Sequence, residues 1–302
     1  MARAKVKVGT CSWTDPTLLE SGWYPPDVVK KPDERLRYYA ERFPLVENDA
    51  SYYAIPDQKQ ATLWAERTPD GFTMNFKAFG AITTHPIDPK RLPKELREGL
   101  PTDVATKRRV YPKDLPKDVV DEIHARFWVG LEPLRKSGKL GAILLQYPDW
   151  FPIGAKNKDQ ILRARELLPD DTLAVEFRNR TWMEERNQQE TLGFLRENGL
   201  AYVSVDEPQG FPSSIPPVAA ATAPLAIVRF HGRNEENWKK PGLTAAERFD
   251  YLYSKPELAE WIPKIRKLED EADEVQVLMN NCYGDKAVRN AADISAMLAR
   301  RR

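Results

Sequence analysis

Seven short apolar runs in this chain each end on a polar or charged residue: Leu45–Asp49, Thr73–Lys77, Leu140–Gln146, Leu173–Arg178, Ala201–Asp206, Ala226–His231 and Val275–Asn281. An eighth, Val6–Trp13, ends in a Gly-Thr-Cys-Ser turn. Strands of a parallel barrel converge at one mouth, so apolar strands that finish in hydrogen-bonding or ionisable side chains fit a barrel with its chemistry at that mouth. Between the runs lie segments of helical period: Glu34–Phe43, Gln58–Arg67, Val119–Arg135, Asp159–Leu168, Gln188–Asn198, Glu257–Glu271 and Lys286–Arg301. This alternation selects an α/β fold with a parallel sheet, and eight strands favour a closed (β/α)8 TIM barrel over an open doubly wound sheet. The Gly-rich dinucleotide fingerprint of the open sheet is also missing, because Gly9 is not followed by GxxG.

The 302 residues suit one such domain, 1–302, since a barrel takes about 250 residues before insertions. Lys and Arg number 46 against 45 Asp and Glu, a formal charge of +1, so any attraction for nucleic acid or an anionic membrane must be local. The first strand begins within a few residues of Met1, leaving no room for a cleavable signal segment. The longest apolar stretch, around Val218–Val228, is interrupted by a proline and is far short of the roughly 20 residues that span a bilayer. A soluble cytoplasmic protein without a membrane partner is expected. Cys11 and Cys282 lie outside any CxxC or zinc spacing and are expected to be free thiols, although they follow the first and last strands, which are neighbours in a closed barrel.

Two connections are longer than the rest. The first, residues 78–117 after the third strand, is rich in proline, and its Pro86–Lys117 span carries nine basic residues against five acidic. That local excess suits a phosphate-rich ligand; the alternative is a solvated surface loop. The second, residues 207–224, carries five prolines and reads as a rim loop.

Strand side chains alternate between faces, and in a barrel one face points inward. With Val175 and Phe177 facing the helices, Glu176 and Arg178 turn inward; the same parity sends Arg229 and His231, Asn75 and Lys77, Gln146, Glu47 and Asp49, and Asn280 into one cavity. Asp206 is a further candidate at its margin. One reading of such a cavity is a rigid polar plug in which the charges pair with each other. The other is catalytic, because strand-end ionisable groups at this mouth are the functional positions of the fold. On that reading Glu47, Lys77 and Glu176 are the catalytic candidates. Glu47 and Glu176 suit a general acid and base if an arginine keeps one ionised and burial raises the other. Lys77 suits an anion clamp or, when desolvated, a nucleophilic amine. Arg178 and Arg229 offer forks for carboxylate or phosphate, His231, Gln146 and Asn280 add hydrogen bonds, and Tyr53 and Trp13 are the aromatic candidates for substrate contact. Trp23, Tyr24, Tyr52 and Trp182 also gather near the expected mouth. The turn from Asn280 to Asp285 leads into a helix and suits backbone contacts to a phosphate.

No cofactor is expected. The one metal arrangement the residues allow is a single divalent ion on Glu47, Glu176 and His231, with Asp49 or Asp206, and it is opposed by nearby Lys77 and Arg229. With three histidines in the chain, His124 in a helix and His85 at the start of the basic insertion, a multi-zinc cluster is not expected.

The chain resembles the YecE-like family, the domain of unknown function numbered seventy-two. The resemblance is carried by VGTCSW at Val8–Trp13, VENDASYYAIP at Val46–Pro56, WAERTPDGF at Trp64–Phe72, LLQYP at Leu144–Pro148, AVEFRNRTW at Ala174–Trp182, RFHG at Arg229–Gly232 and MNNCYGDKAVRNA at Met279–Ala291. It implies a TIM barrel and no reaction. VENDASYY stands where many members are similar to VEINSTFY, and the insertion at residues 78–117 is long for the family. The function expected is therefore acid/base chemistry on a small polar or anionic ligand, the class of hydrolase, lyase or isomerase left open. Two alternatives stand beside it: binding or cleavage of nucleic acid through the basic insertion, and a non-catalytic binding protein whose mouth is closed by ion pairs.

Overall fold

A computed structural model describes residues 4–300; the ends at Met1 and at Arg301 and Arg302 lie outside the described residues. Eight strands, β1 Lys5–Thr10, β2 Leu45–Asn48, β3 Thr73–Lys77, β4 Leu140–Gln146, β5 Thr172–Glu176, β6 Ala201–Asp206, β7 Leu225–Phe230 and β8 Glu274–Met279, close into a parallel barrel in chain order. Closure rests on β1, which pairs with β2 on one side and with β8 over Lys5–Thr10 on the other. At Gly9 the β1 and β2 backbones approach so closely that an added Cβ would sit 1.9 Å from the Leu45 carbonyl oxygen, so only glycine fits there.

Six of the seven expected helices are present as single helices, with ends shifted by a few residues. Their apolar spacing explains their placement: in Lys255–Glu271 the buried residues Leu258, Trp261, Ile265 and Leu268 make one stripe against the barrel, and Ser254 and Glu257 close its start as a capping box. The expected helix Val119–Arg135 is broken into Lys117–Gly130 and Glu132–Lys136. Pro133 sits in the first turn of the second piece, and its missing N–H and its clash with the preceding turn end the first piece before it.

Cross-strand register fixes which side chains share the interior. Glu47 lies beside Asn75, Gln146 beside Glu176, and Arg229 between Val205 and Leu278. The ladder between β3 and β4 slips once. There the Asn75 side chain replaces a backbone acceptor by taking the Ala142 N–H at 2.8 Å, in space that Gly141 leaves open.

Two expectations about connections change. Residues 78–117 are a folded layer rather than a solvated loop: Ile87, Leu92, Leu100, Val104, Val110 and Leu115 are buried, and a bridge between Ile87 and Val110 pins its two halves together. A third long connection, residues 231–254 between β7 and its helix, carries short helices at Glu235–Trp238 and Ala245–Arg248. No helix among the described residues is long and apolar enough to cross a membrane.

Candidate functional site

The C-terminal ends of the strands deliver a buried chamber of charges. Arg229 on β7 lies at its centre: one guanidinium nitrogen meets Glu176 of β5 and the other meets Glu47 of β2 at 2.6 Å. Glu176 is fully buried and also takes Arg178 at 2.6 Å, Gln146 at 2.6 Å and His231 at 3.3 Å. His231 is held in turn by Asn280, 2.9 Å from its Nδ1. Parity along each strand thus brings Glu47, Lys77, Gln146, Glu176, Arg178, Arg229, His231 and Asn280 to one place.

Electrostatics divides this chamber into a rigid floor and a responsive rim. Burial would raise the Glu176 carboxyl, but Arg178, Arg229 and His231 outweigh it and hold the group well below the usual range, so Glu176 is an ionised anchor for two guanidiniums. Arg229 is likewise held charged: burial disfavours its charge, and the surrounding Cys11, Glu176, Glu47 and Asp49 reverse that. His231, buried and beside Arg178, is pushed down to about 3 and is neutral near pH 7. Glu47 behaves oppositely. Burial pushes it up to about 8 despite Arg229, and Asp49 and Glu176 add to the rise. The physical reason is chiefly desolvation: a carboxylate at this depth loses its water, and the single guanidinium of Arg229, which Glu47 shares with Glu176, does not make up the loss.

Lys77 stands apart from the network. Its Nζ makes no ion pair or hydrogen bond among the described residues and lies 4.6 Å above the Tyr52 ring. Burial lowers its pKa, only partly opposed by Asp49 and the deeper carboxylates. Asp49 Oδ1 and Arg229 Nε are buried atoms without hydrogen-bond partners, and Asp49 is 3.9 Å from Arg229. The chamber is therefore an internally paired floor in which Asp49 Oδ1 and Arg229 Nε are left without hydrogen-bond partners.

Four placements differ from the sequence reading. Asp206 faces the helices, aligned with Phe230 rather than Arg229, and is consumed by Arg233 at 2.8 and 2.9 Å, Tyr253 at 2.6 Å and Trp261 at 2.7 Å. Glu207, assigned to the rim loop, belongs to the chamber; it pairs with Arg178 at 2.8 Å and burial raises it to about 7. The signal was present, because Glu207 continues the inward parity of Val203 and Val205. Trp13 is buried edge-on against Trp64 and offers no face to a ligand, whereas Tyr53 is exposed at the rim. Trp182 is also core, stacked on Phe177 with centroids 4.3 Å apart. Separately, the guanidinium of Arg229 lies between Glu47 and Glu176, so those two carboxyl groups face a cation of the protein's own, and among the described residues no group of three or more His, Cys, Asp or Glu is placed to hold an ion.

The folded insertion and the connections after β2 and β4 enclose a cleft of about 410 Å³, lined among others by Tyr52, Tyr53, His85, Arg91, Arg109 and Trp150, and Lys77 adjoins it through the Tyr52 ring. Sequence reasoning had no means to find Trp150 or His85 here, because they come from different connections.

Residues 7–302 match a family described as "Protein of unknown function DUF72". The UPF0759 protein YunF of Bacillus subtilis (strain 168) is 31% identical over 297 residues, covering 97% of this chain and 94% of that protein. A crystal structure of a DUF72 family protein from Thermotoga maritima superposes with a TM-score of 0.76 at 31% identity, over 98% of this chain and 100% of that one. One from Enterococcus faecalis V583 does so at 0.75 and 27%, over the whole of both chains.

Proposed function

This chain belongs to the DUF72 family, whose description assigns no activity, and we propose from its own geometry that the barrel mouth performs proton-transfer chemistry on a small anionic ligand. The observation that carries this reading is one pair of groups: Glu47, held protonated by burial up to about 8, and Lys77, a desolvated amine with no carboxylate partner. A carboxyl pushed up and an amine pushed down share one chamber, as acid/base sites require. Lys77 meets the ligand's charge, Glu47 passes its proton, with Asp49 as the acceptor beside it, and Glu176 positions Arg178 and Arg229 without taking part in proton transfer. Burying the charges of Glu176 and Arg229 at one mouth costs several kcal/mol for each ion, a cost that an apolar filling of equal volume avoids.

The test is a product screen, by mass spectrometry, of phosphorylated and carboxylated small molecules with the wild type, Lys77→Met and Glu47→Gln. Turnover that falls by about 100-fold or more in each variant, with melting temperature held within a few degrees, is expected. Loss of stability in both variants with any turnover intact would identify the chamber as an ion-pair plug.

A further inference from the structure

The cleft that Lys77 adjoins has three features that the chamber chemistry does not use. Arg91, Arg108 and Arg109 line it, all exposed, and none makes an ion pair or side-chain hydrogen bond among the described residues. Its wall is a continuous arc of rings: Tyr53 against Tyr52 at 4.9 Å, Tyr52 against His85 at 5.2 Å, and His85 against Trp150 at 5.7 Å. Tyr53 and Trp150 at the two ends are 54% and 55% exposed, so the arc is open where a ring would lie on it.

The backbone is arranged to hold that arc. Thr84, immediately before His85, has φ of +66°, a left-handed conformation that a β-branched residue adopts only at a cost of about 1–3 kcal/mol. It turns the chain so that the His85 N–H reaches the Gly80 carbonyl at 3.0 Å and Nδ1 meets the Thr83 hydroxyl at 3.0 Å. Gly80 completes the fit, since a Cβ there would lie 3.3 Å from the Tyr52 ring. His85 is half-buried, and that desolvation, helped by Lys77 nearby, pushes it down to about 4, so near pH 7 it presents a neutral flat ring and adds no positive charge.

We propose that this cleft is the recognition subsite for a phosphate monoester bearing a planar ring, of which a nucleoside monophosphate is the representative class. The guanidiniums take the phosphate, the Tyr53–Trp150 arc takes the ring, and Lys77 lies at the junction with the chamber. The proposal deepens the acid/base reading and rests on it only for what happens after binding. Three planar forks suit a dianionic phosphate, and a π-face stacks on aromatic walls. About 410 Å³ is the size of a small-molecule pocket, and the three arginines are among the residues that line it.

The experiment is calorimetric titration at low ionic strength, with tryptophan fluorescence as a second readout, using inorganic phosphate, phenyl phosphate, adenosine, adenosine 5′-monophosphate and a single-stranded oligothymidylate. Phenyl phosphate and the nucleotide are expected to bind at least about tenfold more tightly than inorganic phosphate or adenosine. Arg91→Ala and Arg109→Ala should each weaken nucleotide binding by about tenfold, and Trp150→Ala and Tyr53→Ala should narrow the gap between phenyl phosphate and inorganic phosphate. These side chains are exposed, so unchanged melting temperatures verify folding. Equal affinity for phosphate and nucleotide, or arginine variants that bind as the wild type does, would overturn the proposal. Oligothymidylate binding tighter than the nucleotide with a steep salt dependence would replace it with a nucleic-acid surface. Nucleotide binding lost in Lys77→Met but not in Arg109→Ala would move the ligand into the chamber and refute the subsite. The expected cleft pattern without turnover of any compound leaves the subsite standing and fails the acid/base reading instead.

Discussion

Replacing Arg229 with methionine tests the central geometry, because this one side chain joins two carboxyl groups from β2 and β5. It meets Glu47 at 2.6 Å and also Glu176, and all three are buried. Methionine fills similar volume, so the change is chiefly electrostatic. Leaving a buried charge uncompensated costs about 3–5 kcal/mol. Glu47 needs little of that compensation, since it already holds a proton up to about pH 8, so most of the loss falls on Glu176. Arg178, Gln146 and His231 still reach Glu176, placing the expected loss near the lower end, about 3 kcal/mol, at pH 8. The loss is pH-dependent with a definite sign. Without Arg229 the folded-state pKa of Glu176 rises, so protonation at lower pH relieves the variant, and the deficit should shrink by about half at pH 5. Adding Glu176→Gln to Arg229→Met should recover part of the stability at pH 8 for the same reason. The assay is urea unfolding followed by circular dichroism at pH 5, 6.5 and 8, with the slope unchanged as evidence of an intact fold. A deficit below about 1 kcal/mol, or one that does not vary with pH, would refute the buried triad.

Two further outcomes follow from the same side chains. Glu47→Gln should remove a component of pH dependence: a carboxyl raised from 4.5 to about 8 in the fold favours folding most below pH 4.5 and loses that advantage as pH rises to 8, so wild-type stability relative to the variant should fall by about 3 kcal/mol between pH 5 and 8, measured by chemical denaturation. Parallel curves would mean that Glu47 ionises normally. Asp206→Ala should cost about 3 kcal/mol of stability, because Trp261 and Arg233 lose their acceptor, while ligand affinity at the mouth stays at the wild-type value; a loss of affinity with stability unchanged would return Asp206 to the chamber.

The inward set could be read in advance because strand alternation is a local property. Once Met74 and Phe76 are assigned to the helix-packed side, Lys77 must face the other way, and the same logic holds for Arg229 and for Gln146 without knowledge of any partner. It failed at strand ends. Asp206 and Glu207 were assigned from where an apolar run stopped, and that boundary is set by pairing with β7, which places Asp206 level with Phe230. The aromatic residues divided for a related reason: Trp13 and Tyr53 are both near strand ends, but only packing against Trp64 decides that Trp13 is core.

By itself, the order of residues determined the barrel, its eight strands, the position of both proline-rich connections and the side of the sheet on which the chamber groups other than Glu207 lie. These depend on periods of two and of about 3.6 residues, which are written along the chain. Tertiary structure alone decided that Arg229 stands between Glu47 and Glu176, that Lys77 is left unpaired, and that Tyr53, His85 and Trp150 form one wall. Those outcomes depend on distances between residues far apart in sequence, and such distances exist only after the eighth strand has paired with the first.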